Sequence, residues 1–559
     1  MTLRHLPRRR TGALAVAAVA AAATTAALLP PLTASAAPVT VAAVTEDGYD
    51  TRPLETAAQW LRVQLAEGDG VLTDPTYGPN TSATVDAGRS FWFAGDDETV
   101  AEIVESVAPL ADSYTGDNGF GTLVSAGGSA KLATLVQYAA GDPTSYGGVD
   151  LISRLEGQVT TEGDAIGRIF DTFDPENEFA GDYANGFGQA FAVEALHAAN
   201  SDLTNVATEF LLDQQCADGG FRLYFSDPAA ADQTCDGAAG EGSTDVTALA
   251  ILALLDQATD EDNVTAILDA VDFLVTTQGE DGSWGDGGQL GPNANSTGLA
   301  ALALGIVGAQ DGNPADIDGE PEAGAAWLRA HQVNEVATCT TALAGEQGAL
   351  AYDDAALTAG RVDGITEDAT YQWQFANAQA LPALQWSLAA EGGVGMRADS
   401  GRQRSGGTMS VLVAGLAPGE TGCLVGGQQP VSVTGDLDGQ TVATVRVPVG
   451  TNLRNLYLGT STRSSIKISY WSLAATRFGL TSTPSVRQNG LVAVRVSGLA
   501  PGEPFTLSYH GRVRGTGKAD ANGRASFAFR GGNSLGRWEF AIVGQYSDRF
   551  VTSTFTVTR

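Results

Sequence analysis

Histidine and cysteine are scarce in this chain of 559 residues, and the shortage excludes a class of site. Only four His and four Cys occur, and no two Cys stand in a Cys-x-x-Cys arrangement, so a structural zinc site is not expected. After residue 36 there is no apolar run of about 20 residues, which argues against a membrane span in the mature chain. The phosphate-binding-loop and zinc-protease motifs are also missing, so nucleotide hydrolysis and zinc-dependent proteolysis are not predicted.

Basic residues are scarce in the first two thirds of the chain only. Residues 37–396 hold 9 Lys and Arg against 57 Asp and Glu, whereas residues 397–559 hold 18 against 8. Such asymmetry indicates a domain boundary. The acidic part repels nucleic acid and anionic membranes, so no nucleic-acid partner is predicted. The basic part suits contact with an anionic cell-envelope polymer, although a mildly basic β domain needs no such partner.

The first 36 residues have the pattern of a secretory signal peptide. Arg4 and residues 8–10 form a basic start, residues 12–29 an Ala-rich apolar stretch, and residues 34–36 a small-residue cleavage site. We therefore expect cleavage before Ala37 and a secreted protein, either released or associated with the cell surface. The adjacent arginines leave a twin-arginine route open beside the general secretory route.

Four cysteines in an exported chain favour disulfides over metal ligation. Cys216 and Cys235 flank one loop and are the expected pair. Cys339 and Cys423 fall in different predicted domains. The sequence leaves open whether they bond to each other or stay reduced.

Two segments of the acidic part resemble each other. Residues 210–221 and 273–284 share Phe, Leu, Gln, Asp and Gly at matching places, and an aromatic residue ends both. Segments that are apolar all round, such as 246–255 and 296–305, alternate with one-sided apolar stripes such as 264–275. This alternation predicts buried inner and amphipathic outer helices. Inner-helix candidates near residues 84, 130, 189, 247, 297 and 380 predict about six hairpins, which are able to close into a ring.

The basic part reads differently. Residues 410–414 and 493–497 alternate apolar and polar side chains with many β-branched residues. The segment Gly-Leu-Ala-Pro-Gly-Glu occurs at 415–420 and again at 498–503. The predicted fold class is therefore multidomain: an all-α α/α toroid at 37–392, followed by two all-β immunoglobulin-like sandwich modules at 393–480 and 481–559.

The Gln-x-x-Asp-Gly-x-Trp turn after a helix resembles the repeat of squalene–hopene cyclases and other terpenoid cyclases. Gln278, Asp281, Gly282 and Trp284 match it best, and Gln215 begins a second copy that ends in Phe. The resemblance covers about residues 50–392 and implies the α/α-toroid fold. The superfamily also holds protein prenyltransferases, complement thioester domains and cobalamin carriers, so the fold does not select a function.

The acid motif of the cyclases is only partly present. The resemblance implies alkene protonation by the central Asp of an Asp-x-Asp-Asp-Thr-Ala motif. The corresponding stretch keeps Asp245, Thr247 and Ala248, but Ser243 and Val246 replace the other two acids. We therefore interpret Asp245 first as the cap of an inner helix, with ligand contact and proton donation as alternatives. Asn295 stands at the equivalent place one repeat later, which favours a repeated cap.

The remaining candidate sites are weaker. Trp92, Trp284 and Trp373 are candidates for lining a central cavity together with Asp245 and Asn295, and packing between helices is the alternative. The acidic segment 311–320 suggests Ca²⁺ but lacks the spacing of a twelve-residue calcium loop. Neither the zinc ligands of prenyltransferases nor the thioester cysteine has a counterpart.

The sequence favours an exported, non-catalytic binding or surface protein. Its toroid is expected to bind a small hydrophobic or corrinoid ligand, or an envelope partner; cobalamin follows from the layout of the cobalamin carriers. The alternative is a cyclase-like or hydrolytic enzyme with an acidic cavity around Asp245. A second carboxylate near Asp245 and a raised pKa in an apolar pocket favour the enzyme. Hydrogen bonds from helix amides to Asp245 favour the cap.

Overall fold

The computed structural model describes residues 44–45, 48–117, 122–177, 180–235, 241–258, 260–286, 290–310, 315–461, 463 and 465–559. The expected signal peptide at 1–36 and residues 311–314 of the acidic segment lie outside these ranges. The chain forms two compact units. Unit 1 comprises Met1–Asn334, Thr341–Ala389 and Ala417–Gly419, and unit 2 comprises Glu335–Thr340, Ala390–Leu416 and Glu420–Arg559. Within the described ranges, no helix combines the length and apolarity needed to cross a membrane.

Unit 1 is helical with a few two- or three-residue strands, as predicted. Its α-helices are α1 (Arg52–Glu67), α2 (Thr81–Phe93), α3 (Asp97–Val107), α4 (Ala111–Thr115), α5 (Ala126–Tyr138), α6 (Leu151–Glu156), α7 (Gly186–Ala199), α8 (Thr204–Asp213), α9 (Thr244–Leu255), α10 (Glu261–Thr277), α11 (Ala294–Gly308), α12 (Glu320–His331), α13 (Asp354–Asp363) and α14 (Thr370–Ala380). The strands are β1 (Thr73–Asp74), β2 (Gly78–Pro79), β3 (Thr122–Val124), β4 (Thr172–Phe173), β5 (Phe221–Arg222) and β6 (Gly242–Ser243). The strands pair as three antiparallel ribbons, β1–β2, β3–β4 and β5–β6.

Six of these helices form a closed inner ring. Each of α2, α5, α7, α9, α11 and α14 contacts the next, and α14 contacts α2. The outer helices α1, α3, α6, α8, α10 and α12 precede them in the chain. Every residue of α9 is buried, as expected for a helix that is apolar all round. The prediction of an α/α toroid with six hairpins is confirmed.

The inner helices begin with a repeated pair of polar residues. An Asn or Ser before the helix accepts a hydrogen bond from the amide of its third residue in α2, α5, α7, α9 and α11. The fourth residue of four of them then accepts the amide of the preceding turn at 2.8–3.0 Å; these acceptors are Thr84, Gln189, Thr247 and Thr297. The turn and the inner helix are thus fixed to each other without any role for a ligand.

The Gln-x-x-Asp-Gly turn fastens neighbouring outer helices. Gln278 Nε2 donates to the carbonyl of Gly282 in its own turn and to that of Glu320 in α12, both at 3.0 Å. Gly282 has φ +89°, and a Cβ there would lie 2.4 Å from the Ala323 carbonyl oxygen, so only glycine fits. Gln332 Nε2 donates in the same way to Pro53 O of α1 at 2.8 Å. This third copy, which the sequence comparison missed, joins the last outer helix to the first.

Unit 2 holds the two predicted β sandwiches. The first contains β7 (Gly395–Ala398), β8 (Arg402–Arg404), β9 (Thr408–Ala414), β10 (Thr421–Val425), β11 (Val431–Thr434), β12 (Gln440–Arg446), β13 (Asn452–Thr460) and β14 (Ile466–Leu473). The second contains β15 (Thr476–Arg477), β16 (Gly479–Ser482), β17 (Ser485–Arg487), β18 (Leu491–Ser497), β19 (Pro504–Tyr509), β20 (Arg512–Lys518), β21 (Arg524–Arg530), β22 (Gly536–Val543) and β23 (Arg549–Thr558). Sheet orders are β11-β10-β13-β14-β8 over β12-β9-β7, and β15-β23-β22-β19-β20 over β16-β18-β21, with β17 beside β23.

The repeated Gly-Leu-Ala-Pro-Gly-Glu segment ends in a buried carboxylate in both modules. Glu420 and Glu503 are fully buried. Arg463 Nη2 lies 3.4 Å from Glu420 Oε2, and Arg549 Nη2 lies 2.7 Å from Glu503 Oε2. The sequence repeat therefore marks an internal ion pair as well as a turn.

Each of the two disulfides joins residues that belong to the same unit. Cys216 and Cys235 are bonded in unit 1, as predicted. Cys339 and Cys423 are also bonded, and both belong to unit 2. The second bond settles the question that the sequence left open.

Candidate functional site

The centre of the helical ring contains a cavity of about 740 Å³. Its wall follows a simple rule: the second, sixth and ninth residues of the inner helices face it. The second residues are Ser82, Gly127, Phe187, Asp245, Asn295 and Tyr371, and the sixth are Asp86, Lys131, Phe191, Leu249, Leu299 and Phe375. The ninth residues of four helices are Arg89, Leu252, Leu302 and Ala378. We call these three sets the rim, middle and floor layers. The spacing i, i+4, i+7 keeps one helix face toward the axis.

The wall is apolar on one side and charged on the other. In the middle and floor layers, α7, α9, α11 and α14 contribute Phe, Leu and Ala side chains, whereas α2 and α5 contribute Asp86, Arg89 and Lys131. Pockets of 300–1,000 Å³ with apolar walls and few polar groups are typical of small-molecule sites. The cavity therefore suits a small molecule with a mainly apolar body and a few polar atoms.

Asp245 lies in the rim layer, at the second residue of α9. The cap of α9 is instead Ser243, whose side chain accepts from the amide of Val246 at 3.2 Å. Likewise Asn293 caps α11 by accepting from Ser296 N at 3.0 Å, so Asn295 is not the cap. The capping interpretation of Asp245 and Asn295 is wrong because a residue two places earlier fills that role in both helices. Both side chains line the cavity instead.

Asp245 differs from the other carboxylates that line the described part of the cavity. Asp86 pairs with Lys131 Nζ at 2.8 Å. Asp171 accepts the amide of Ala126 at 2.8 Å and that of Tyr183 at 3.3 Å. Asp245 is 9% exposed, and its Oδ1 has no hydrogen-bond partner among the described residues. A buried carboxylate with so little compensation favours its neutral, protonated form.

The electrostatic environment acts in the same direction. Burial raises the pKa of Asp245 to about 7, and the nearby carboxylate of Asp286 also raises it, while a hydrogen bond with Ser296 lowers it. Asp286 follows the turn that ends in Trp284. Tyr352, which also lines the cavity, is close enough for the charge of Asp245 to raise the pKa of its hydroxyl, after a larger effect of burial. Asp245 therefore keeps its proton to a higher pH than an ordinary aspartate does.

The three tryptophans considered as cavity residues lie elsewhere, which corrects that expectation. Trp284 is 1% exposed and its indole Nε1 donates to Leu274 O at 2.8 Å. Trp373 is also 1% exposed and belongs to the hydrophobic core. Trp92 stacks on Tyr138 with the ring centroids 3.9 Å apart. None of the three is among the residues that line the described cavity, because each is used to pack helices.

Among the described residues, no group of three or more His, Cys, Asp or Glu side chains is arranged to hold an ion. Residues 315–320 of the acidic segment are among the described residues and belong to no such group. They therefore give no support to the expected Ca²⁺ site.

Sequence reasoning missed several cavity residues. Arg89 and Lys131 were not singled out, although a charged residue inside a buried inner helix is a usable signal. Asp286 was missed because its proximity to Asp245 depends on the packing of one hairpin turn against the preceding inner helix. The spacing of residues in the sequence does not predict the proximity of Asp286 to Asp245.

The chain is similar to known proteins in its structure but not in its sequence. No protein-family model and no curated protein matches the sequence. The structure is similar to the type II terpene cyclase MstE from Scytonema, with 14% identity, a TM-score of 0.39, and coverage of 60% of this chain and 98% of that one. It is similar to a protein from Actinoplanes, with 17% identity, a TM-score of 0.40, and coverage of 60% and 98%. The adhesin InvE of Yersinia pseudotuberculosis shares 14% identity, with a TM-score of 0.18 and coverage of 30% and 59%. Similarity at this level carries no argument about chemistry, which depends on the cavity itself.

Proposed function

We propose that the toroid binds one mainly apolar small molecule in its central cavity and that Asp245 transfers a proton to it. The observation that supports this is the position of Asp245: a buried carboxyl in the rim layer, whose Oδ1 has no partner among the described residues, with a second carboxylate, Asp286, nearby. A general acid must be protonated at the working pH, and burial beside a like charge achieves that for an Asp.

Because the wall around Asp245 is apolar, the group that reacts after protonation must belong to the substrate itself. Leu249, Leu252, Leu299 and Leu302 come from the two helices that carry Asp245 and Asn295. Protonation of an alkene or epoxide in such a wall yields a carbocation that closes a ring and then loses a proton. This is a mass-neutral cycloisomerisation, the class of reaction that the name type II terpene cyclase denotes. Water exclusion by the wall protects the cation.

The test uses the mature chain, residues 37–559, with squalene, 2,3-oxidosqualene and geranylgeraniol as probes. We expect an isomer of at least one probe, detected by gas chromatography and mass spectrometry, with one deuterium incorporated in D₂O. The variant Asp245→Asn is expected to lower the rate at least about a hundredfold, the usual contribution of a general acid. Asp260→Asn, at the cap of α10, is the matched control. Isomer formation that Asp245→Asn leaves unchanged would contradict the proposal.

A non-catalytic carrier is the second candidate. The observation in its favour is that Ser243 and Val246, which replace two acids of the cyclase motif, have structural roles: Ser243 caps α9 and Val246 is fully buried. Native mass spectrometry of the secreted protein, with cyanocobalamin and geranylgeraniol as added probes, tests it. Retention of an unaltered probe by both the native protein and Asp245→Asn supports a carrier.

A further inference from the structure

The floor layer holds a buried cation that no hydrogen bond fully satisfies. Arg89, the ninth residue of α2, lines the cavity and is 6% exposed. Its Nε and Nη2 have no hydrogen-bond partner among the described residues. Its nearest carboxylate is Glu194 Oε2, 3.7 Å from Nη2, which is too long for a hydrogen bond. Leaving buried donors unpaired is costly. A ligand atom that accepts hydrogen bonds from Nε and Nη2 would remove this cost.

The neighbours of Arg89 position the guanidinium without saturating it: it shares one side-chain hydrogen bond with Tyr138, while Nε and Nη2 stay without a partner among the described residues. Its central carbon lies 4.3 Å from the ring centroid of Phe191 and 5.8 Å from that of Tyr138. Glu194 already accepts a hydrogen bond from the Tyr138 hydroxyl, and burial raises the pKa of Glu194. Aromatic faces hold a guanidinium in place but leave its edge available to a planar anion.

Lys131, the other cation that lines the described part of the cavity, already uses its hydrogen-bond donors on protein atoms. Lys131 Nζ lies 2.8 Å from Asp86 Oδ2, and it also donates to Ser82 O at 3.2 Å and Ser82 Oγ at 3.1 Å. An ammonium group has three donors, and all three are used. Arg89 is therefore the cation left to meet a ligand.

We propose that Arg89 binds a carboxylate at one end of the ligand, so that the substrate is an apolar monocarboxylic acid. This deepens the proposed function and rests on it for the role of Asp245. Helices α2 and α9 lie on opposite sides of the ring, three places apart. The rim and floor layers are seven residues apart along a helix, which corresponds to about 10 Å. A ligand carboxylate at Arg89 therefore directs the opposite end of an extended apolar chain toward Asp245.

The test is a comparison of matched ligands on the mature chain. Dissociation constants of geranic, farnesoic and geranylgeranoic acid are measured by titration calorimetry beside geraniol, farnesol and geranylgeraniol. A charge-assisted hydrogen bond to the guanidinium predicts at least about a tenfold preference for the acid over the alcohol of the same length. Arg89→Gln is expected to reduce that preference to less than about twofold, while Arg89→Lys retains part of it.

Controls separate this inference from the proposed function. Arg168→Gln removes another buried arginine, which pairs with Asp182 at 2.8 Å and does not line the cavity; it is expected to keep the acid preference. Asp245→Asn is expected to keep the preference and lose isomer formation. If native protein binds acids and alcohols equally, the carboxylate site is wrong while an apolar cavity stands. If none of the six compounds binds, the carboxylate site is wrong, and isomer formation from squalene or 2,3-oxidosqualene decides the proposed function separately. Comparing acid and alcohol binding by the native protein tests the carboxylate site even if Arg89→Gln fails to fold.

Discussion

Replacing Asp245 by Asn is expected to stabilise the toroid, and the gain depends on pH. In the unfolded chain Asp245 titrates near its ordinary pKa of 3.8, whereas burial holds its pKa at about 7 in the folded protein. Between these values the folded state binds the extra proton, so native stability falls as pH rises from about 4 to 7. Each pKa unit corresponds to 1.36 kcal/mol, so the loss amounts to about 4 kcal/mol above pH 7.

Asn has nearly the shape of a neutral Asp and does not ionise. The free energy of unfolding of Asp245→Asn should therefore match that of the native protein at pH 4 and exceed it by about 3–5 kcal/mol at pH 8. Urea denaturation followed by circular dichroism at the helical band measures the toroid, because unit 2 is built of strands. Asp260→Asn is the control for a change of charge at an exposed helix cap. A stability difference that is the same at pH 4 and pH 8 would refute a raised pKa at Asp245.

Three further changes test the fold. Glu503→Gln should destabilise the second β module by about 3–5 kcal/mol, because it leaves the fully buried Arg549 without its carboxylate; thermal unfolding followed by β-sheet circular dichroism measures this, and a loss below about 1 kcal/mol would contradict it. Gly282→Ala should lower the unfolding temperature of the toroid because its Cβ would lie 2.4 Å from Ala323 O, whereas Gly345→Ala, with open space around it, should not; equal effects would argue against the turn geometry. Removing the Cys216–Cys235 bond by Ser substitution should cost about 3 kcal/mol for a separation of 19 residues, measured by urea denaturation against the native protein.

The sequence was sufficient for the architecture because the helices have unambiguous patterns. The stretch 246–255 admits no exposed face, and the turn ending in Trp284 matches the one ending in Phe221 closely enough to reveal a period. Gln332 makes the same hydrogen bonds as Gln278, yet it escaped notice because no Asp-Gly-aromatic follows it at the same spacing. An internal repeat that keeps its geometry but not its residues cannot be found by comparing segments of the sequence.

The cavity could be predicted only in part. Asp245 was singled out by the motif, but its expected role as a cap was wrong, because Ser243 two residues earlier has the better geometry for that role. In an all-apolar helix the sequence does not show which face meets the axis, so the rim, middle and floor layers emerge only from the structure. Arg89 and Asp286 become meaningful through neighbours on other hairpins, and those contacts are long-range.

Difference infrared spectroscopy of native protein and Asp245→Asn, recorded from pH 4 to pH 9, tests the central claim most directly. A buried protonated carboxyl absorbs apart from ionised carboxylates, and the subtraction isolates Asp245. We predict a carboxylic-acid band that disappears in the variant and titrates in the native protein with a midpoint near pH 7. A band that is absent at pH 6, or a midpoint near pH 4, would contradict the assignment of Asp245 as the acid of the cavity.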